Sequence, residues 1–393
     1  MAVEPLTLVL NPGSASRKYA LHKGSERLAS LHYEWKNGRI ICTGAAGGAT
    51  RQLDASVASL EQAIGTVEAN FRLLGALKEN EAIELGGVRV VAPSSFFLES
   101  HSITDDVIAR LEQLQEIAPL HIGASLSEIK QARELLPHIR LVAVSDSAFH
   151  ITKPDVAWNY GIDLGTADAY DIKRFGYHGI SAGAAARTAI NLTGAARIII
   201  CHLGSGSSVT AVQGGKSIDN TMGYSPLEGL VMATRSGTID ILAADRLQNV
   251  RGITDDRLIQ ELNTASGLRG ISGSSDDIRE LLQLERAGDY RASLALRMYV
   301  YGIQKAIGQM SAALGGLDAL VFTATVGERS SEIRSRVVSQ LAYLGLWVDE
   351  ETNTTVTEPT SPISIHDWAG SKSIIVLPTD EAGEIARIAQ QLA

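Results

Sequence analysis

The 393-residue sequence has only two cysteines, no surplus of positive charge, and no apolar run approaching the roughly 20 residues of a membrane-spanning helix. Cys42 and Cys201 lie in apolar, strand-like surroundings and read as buried, reduced thiols rather than a disulfide or redox pair. The start of the chain carries Glu4 and Pro5 and reaches Asn11 after a short apolar run, which does not fit a secretory leader. The expected compartment is therefore the cytoplasm. With 35 Lys and Arg against 44 Asp and Glu, the net charge of −9 argues against a general nucleic-acid surface. It also means that an anionic substrate depends on locally placed cations. Standard nucleotide motifs are missing as well. The GGKS at 214–217 lacks the upstream glycine of a P-loop, since Thr210 stands there, and the GSGSSV at 204–209 departs from the dinucleotide fingerprint at its last position.

What is present is ordinary in bulk and specific in detail. A hydrophobic fraction of 45% and a charged fraction of 20% fit a globular protein, and the length calls for two domains. Strands and helices alternate, the pattern of an α/β protein. Apolar runs at 6–10, 88–92, 141–144, 197–202, 209–213, 320–323 and 374–377 read as strands. An apolar stripe through Val57, Leu60, Ile64, Val67, Phe71 and Leu74 reads as one helix, and further helices are expected at about 104–118, 292–314 and 332–344. A strand–turn–strand unit occurs twice, with Gly/Ser-rich turns at 11–16 and 204–208. Such a repeat suggests two similar domains, 1–149 and 150–382, each pointing a phosphate-binding hairpin into a shared cleft, with a terminal helix at 383–393 returning to the first.

Residues 202–240 combine a flexible turn with Arg235 between small polar residues. Glycine lets a backbone approach an anion, hydroxyls and amides satisfy its oxygens, and arginine offers a planar fork of donors. Gly179-Ile-Ser181-Ala-Gly183 matches a hydrolase nucleophile motif, but the polar run before it is no buried strand. Ser181 reads instead as the N-cap of a helix through 184–190. Asn11, Lys18, Arg89, Asp146, His178, Arg235 and Glu381 form the remaining polar set at strand ends. Each has a structural reading when taken alone: a salt bridge for Arg89, a cap for Asp146, a satisfied histidine at His121 or His178. Together they suit phosphoryl transfer, where catalysis is chiefly positioning and charge neutralisation.

On these segments the chain resembles the acetate kinase family of acyl-phosphate-forming kinases along nearly its full length. NPGSASRKYAL, RVV, APLH, AVSDSAFH, RFGYHGISA, SGLRGISGSSDDIR, GGLDALVFTATVGERSSEIR and PTDE carry the match, and the 219–240 block is nearly diagnostic. The resemblance implies two duplicated actin-like (ribonuclease H-like) domains around a central cleft. It also implies transfer of the ATP γ-phosphoryl to acetate, giving acetyl phosphate and ADP, in a homodimer without membrane or nucleic-acid partners. Carried over, Asp146, His178 and Arg235 are catalytic, and Arg89 and His121 bind the substrate. Asn11 and Glu381 organise Mg²⁺, for which Mn²⁺ can substitute. Ser14, Ser16, Lys18, His202, Leu203, Gly204, Ser205 and Gly206 face phosphates. Asp277, Ile278, Arg279, Thr325, Val326, Gly327, Glu328 and Arg329 cradle adenosine.

The chain also departs from the family. The first loop has Ala15 where a serine is usual, and the histidines flanking the RVV segment are absent. HLGNG has become HLGSG at 202–206, the acidic residue after TRSG is Thr238, and GIGEN has become TVGER at 325–329. Threonine and arginine in that strip raise the alternative of another phosphoryl donor such as pyrophosphate, while intact Asp277 and Arg279 keep ATP first. Propionate or butyrate kinase chemistry, a non-catalytic regulatory member of the superfold and, most distantly, a Ser181 hydrolase are the other readings.

Overall fold

The computed structural model describes residues 4–13, 16–36, 38–117, 119–368 and 370–393. The chain divides into two compact units, one formed by residues up to Ala148 together with Asp380–Ala393, the other by Phe149–Thr379.

The first unit is built on an eight-stranded sheet of β1 (Leu6–Pro12), β2 (Ser16–Lys23), β3 (Glu26–Lys36), β4 (Arg39–Ala46), β5 (Ala49–Leu53), β6 (Leu85–Val90), β7 (His101–Ser102) and β8 (Arg140–Ser145), in the order β5-β4-β3-β2-β1-β6-β8-β7. Successive hairpins pair β1 to β5 antiparallel, whereas β1–β6 and β6–β8 are parallel. Central β1 is buried from Leu6 through Leu10, which is why it reads as a continuous apolar run. Strand β3, nearer the edge, alternates, with Ala29, Leu31 and Tyr33 turned inward.

Helix Glu381–Gln391 packs against β1 and β6. Its inward residues Ile385, Ala386 and Ala389 recur at helical spacing. Close approach depends on Gly87, where a Cβ would lie 2.7 Å from Ile385 Cγ2. The stripe at 57–74 does not form one helix. It is a 3-10 turn, Leu60–Thr66, followed by the α-helix Val67–Leu73. Gly65 weakens the helix at the join, and the Thr66 hydroxyl turns back to the Ala63 carbonyl (2.8 Å).

The second unit carries β9 (Arg197–Leu203), β10 (Ser207–Gln213), β11 (Lys216–Asn220), β12 (Ala319–Thr323), β13 (Ile363–Ser364) and β14 (Ser373–Val376), in the order β11-β10-β9-β12-β14-β13. The pairings β9–β10 and β10–β11 are antiparallel, and β9–β12 and β12–β14 are parallel. The run β11-β10-β9-β12-β14 therefore repeats β3-β2-β1-β6-β8 strand for strand and direction for direction, the core of a duplicated actin-like fold. Helix Tyr290–Ala313 buries Leu296, Tyr299, Ile303, Ile307 and Met310 along one stripe and packs on β10. Among the described residues no helix is long and apolar enough to cross a membrane.

The first hairpin is fastened from below. The Gly13 amide donates to the Ser16 carbonyl (2.9 Å), and Arg17 donates through Nη1 to the carbonyl of Gly13. Arg17 Nε in turn donates to Glu128 Oε2 (3.0 Å), and the Tyr19 hydroxyl donates to Glu128 Oε1 (2.7 Å). Glu128 is 1% exposed, and burial pushes its carboxyl up to about 7 although Tyr19 and Arg17 both pull it down. A folded-state pKa above the unfolded one favours the folded state when protonated. That contribution is complete below about 4.5 and lost as pH rises through about 7. Glu128→Gln keeps a neutral side chain at every pH. Its stability relative to wild type is expected to rise by up to about 3 kcal/mol between pH 4.5 and 8, read from urea unfolding at each pH. A gap that narrows with rising pH would contradict this.

Candidate active site

In the first unit four of the expected residues meet where β1, β6 and β8 end. Asn11, on β1, donates through Nδ2 to Glu381 Oε2 (3.1 Å), and Glu381 opens the terminal helix. Arg89, on β6, donates through Nη2 to Asp146 Oδ2 (2.9 Å), and its Nη1 lies 3.8 Å from Glu381 Oε2. Asp146 immediately follows β8 and is 1% exposed, while the Arg89 side chain keeps 21% exposure. Burial works against the guanidinium charge, but Asp146 and Glu381 more than offset it and hold the Arg89 pKa above the usual arginine range. A buried carboxylate thus holds a partly exposed cation, a sound arrangement for receiving an anion.

Lys18 lies directly across from Asn11 in the β1–β2 register, with its side chain exposed, and Ser16 opens β2. Ser14 lies outside the described residues. His121 falls within helix Pro119–Leu135, and its side chain is likewise outside them.

In the second unit, His178, His202 and Arg235 converge on the turn between β9 and β10. His178 precedes helix Gly179–Thr193 and has φ 60°, a left-handed conformation that costs a non-glycine residue of order 1 kcal/mol. The His178 and His202 rings stack with centroids 4.1 Å apart. His178 Nδ1 is hydrogen-bonded to Ser208 Oγ (3.0 Å), and His202 Nδ1 to Ser181 Oγ (2.9 Å). Ser181 is therefore not the N-cap. The helix starts two residues before it, at Gly179, and the Ser181 hydroxyl orients His202. No strand leads into it, as the hydrolase motif would need.

The turn is tight at Gly206, although Ser205 beside it is exposed. A Cβ on Gly206 would sit 3.2 Å from His178 Nε2 and 3.3 Å from Arg235 Nη1. Arg235 Nη1 also donates to the Pro226 carbonyl (3.4 Å), and the Ala233 amide donates to the Ser205 carbonyl (3.1 Å), tying the arginine loop to the turn. Leu203 is fully buried.

Beside Gly204 and Ser205 opens a cavity of about 620 Å³. Asp277, Ile278, Arg279, Thr325, Val326 and Arg329 line it, with Leu268, Leu282 and Tyr299 among its apolar wall. Asp277 caps helix Ile278–Arg286 by accepting from the Arg279 amide (2.8 Å). The Arg279 side chain, followed by burial and the amide bonds, sets the Asp277 carboxyl, with the hydrogen bond lowering its pKa. The 325–329 segment lies in a short helix, Ala324–Arg329. Arg329 pairs with Glu358 (3.3 Å).

Gly327 and Glu328 are not among the cavity-lining residues. Gly327 is buried, and Glu328 directs its carboxylate to Thr379. Ser181, Ser208 and Thr379 escaped sequence reasoning as site-supporting residues. Ser208 and Thr379 do carry a signal, since each lies in a segment already marked for chemistry.

Among the described residues no group of three or more His, Cys, Asp or Glu could hold a metal ion. Asn11 and Glu381 touch through the Asn11 amide nitrogen, and each also carries a hard oxygen of the kind Mg²⁺ takes, an ion that needs one or two protein ligands and completes its shell with water and substrate phosphate.

A family model described as the acetokinase family matches residues 6–387. An acetate kinase of Streptomyces avermitilis is 39% identical over 389 residues, spanning 97% of this chain and 95% of that protein. Among solved structures, Porphyromonas gingivalis acetate kinase superimposes with a TM-score of 0.87 at 33% identity, covering 99% of each chain. A propionate kinase from Francisella tularensis subsp. tularensis gives 0.89 at 32% identity, covering 99% of this chain and 100% of that one. The chain belongs to the acetokinase family.

Proposed function

We propose that this protein is an acetate kinase that transfers the γ-phosphoryl group of ATP to acetate, forming acetyl phosphate and ADP. The observation that carries this reading is the cavity of about 620 Å³ that opens beside the 204–206 turn. Its size and apolar wall suit a nucleoside, and its lining includes Gly204 and Ser205 of the glycine turn that His178 and Arg235 flank. Pyrophosphate would leave such a cavity unused, so ATP is the donor even with Thr325 and Arg329 in the wall.

Arg89 holds the acceptor carboxylate, and Asp146 fixes the guanidinium in place. A carboxylate oxygen attacks the γ-phosphorus while the bond to the β–γ bridging oxygen breaks, and ADP carries that electron pair away. No proton has to move, so no general base is needed. Arg235 and His178 act on the charge that builds on the transferring oxygens. Asn11 and Glu381 would hold Mg²⁺, or Mn²⁺ in its place, and such an ion would supply positive charge against the phosphates. Lys18, Ser16 and Ser14, on the first hairpin, supply further phosphate contacts.

The protein acts as a cytoplasmic homodimer. Helix Ile241–Arg251 buries none of its residues and leaves Ile241, Leu242 and Val250 at 80%, 74% and 64% exposure, apolar surface that a second copy would cover. The buried thiols Cys42 and Cys201, unpaired with each other, suit a reducing compartment.

The test is a hydroxamate assay of the purified protein with acetate, propionate and butyrate against ATP and pyrophosphate. Strong ATP-dependent turnover with acetate is expected. Propionate should fall within about 10–200-fold of acetate, since a methylene changes a pocket by ~1–3 kcal/mol. Turnover with pyrophosphate and none with ATP would overturn the choice of donor, and no acyl phosphate with any pair would overturn the reaction.

A further inference from the structure

Ala324 is one of the few non-glycine residues with a positive φ, at 65°. It stands where β12 ends and the strip lining the cavity begins, and its Cβ would lie 3.5 Å from one placed on Gly204. A left-handed alanine carries strain that surrounding structure must hold. The Ala324 amide donates to Thr379 Oγ1 (2.7 Å), and the Thr323 and Thr379 hydroxyls are 2.8 Å apart. The Thr379 hydroxyl and amide both donate to Glu328 Oε1, at 2.6 and 2.8 Å. Because the Thr379 proton goes to Glu328, the Thr323 hydroxyl is the donor in the remaining bond. Thr379 Oγ1 then uses its single proton and both lone pairs.

The same segment is braced from its other end. Arg334, fully buried, donates through Nη1 to the carbonyls of Gly327 (2.9 Å) and Glu328 (2.8 Å). These belong to the last turn of a short helix, where carbonyls lack intrahelical partners. Its other donors go to Asn353 Oδ1 (2.7 Å) and to the carbonyls of Asn353 (2.9 Å) and Val356 (2.7 Å).

The duplication gives a parallel. In the first unit the residue directly after β8, Asp146, binds the side chain of Arg89 on β6. In the second unit the segment after β14 binds the end of β12 through Thr379. The first pair presents a charge, whereas the second fixes a backbone.

We propose that Thr379 is a positioning residue for the nucleotide. Its hydroxyl, oriented by Glu328, pins Ala324 in the left-handed conformation and so keeps Thr325 and Val326 at the cavity wall beside Gly204. The proposal rests on the reading of this cavity as the ATP site. It reassigns Glu328 from contacting adenosine to orienting Thr379.

Thr379→Val keeps the shape of the side chain and removes the oxygen that accepts from Ala324 and Thr323. Calorimetric binding of MgADP and steady-state kinetics should give about a tenfold loss of nucleotide affinity and a similar rise in KM for ATP, with KM for acetate within twofold. Thr379→Ser restores the oxygen and should behave as wild type. Thr379→Val with Ala324→Gly should recover at least threefold of the loss, because glycine adopts the left-handed conformation without strain. A general loss of folding would lower the affinity of both substrates and would not be repaired by Ala324→Gly. Wild-type MgADP affinity in Thr379→Val, or a double variant no better than the single one, would overturn the proposal alone. Absence of MgADP binding by the wild-type protein would overturn the cavity reading and this proposal with it.

Discussion

Replacing Arg235 with alanine is expected to lower kcat by about 10²–10³-fold while leaving KM for ATP and for acetate within about threefold. The loop carrying this arginine is fixed chiefly by its backbone, with the guanidinium adding a long bond to the Pro226 carbonyl (3.4 Å). The Met232 amide donates to the Arg235 carbonyl (3.1 Å), the Ser266 amide to the Thr234 carbonyl (2.9 Å), and the Ser236 amide to the Leu262 carbonyl (2.9 Å). The Thr234 hydroxyl donates to the Asn263 carbonyl (2.9 Å). None of these bonds depends on the side chain at 235, so truncation should leave the scaffold and the melting temperature nearly unchanged.

What is lost is a preorganised cation beside Gly206 and His178. In the proposed role its contribution would be largest when charge spreads over the transferring phosphoryl oxygens, which would place the loss in kcat. Removal of one such donor costs ~3–4 kcal/mol in comparable sites. Arg235→Lys should recover only part of the rate, since an ammonium lacks the planar fork. Steady-state kinetics against each substrate separately, with a melting curve for each variant, tests the point. A deficit confined to KM would assign Arg235 to ground-state binding instead.

The parts of this fold and site that were legible in the sequence are those whose signal is local. The strand–turn–strand repeat was readable because β1 and β9 are buried almost throughout and both run into Gly/Ser turns. The residues at the strand ends, Arg89 and Asp146 among them, were singled out by type and position. Their pairing was not, because it depends on β6 and β8 being parallel neighbours, and the two residues lie 57 apart in the chain. Glu328 and Thr379 are 51 apart and met only when β12 and β14 were aligned. Strands β3 to β5 had no counterpart in the sequence reading. The outermost, Ala49–Leu53, exposes Ala49, Thr50, Arg51 and Gln52 and has no apolar alternation to read. The stripe at 57–74 misled for the opposite reason. Its periodicity is real, but Gly65 and Thr66 change the helix type in the middle.

Arg89 and Asp146 carry the second large expectation. Arg89→Ala should raise KM for acetate by about 10²–10³-fold and leave KM for ATP nearly unchanged, the loss corresponding to ~3–4 kcal/mol. Two effects act in the same direction. If Arg89 binds the acceptor as proposed, the incoming carboxylate would lose a charged, forked donor and would meet the charges of Asp146 and Glu381 without the cation that had offset them. Before truncation the guanidinium lies 2.9 Å from one carboxylate oxygen and 3.8 Å from the other.

The fold should also suffer, because Asp146 is 1% exposed and its charge would remain buried without Arg89. Asp146→Asn removes that charge while keeping the shape. Adding it to Arg89→Ala should therefore recover stability without recovering acetate binding. The stability cycle should give a coupling of about 2–3 kcal/mol, less than for a fully buried pair because Arg89 keeps 21% exposure. If the two substitutions add independently in urea unfolding, Asp146 does not owe its tolerated burial to Arg89. If KM for acetate stays within about threefold in Arg89→Ala, well short of the loss expected for a charged donor, the acceptor carboxylate is held elsewhere.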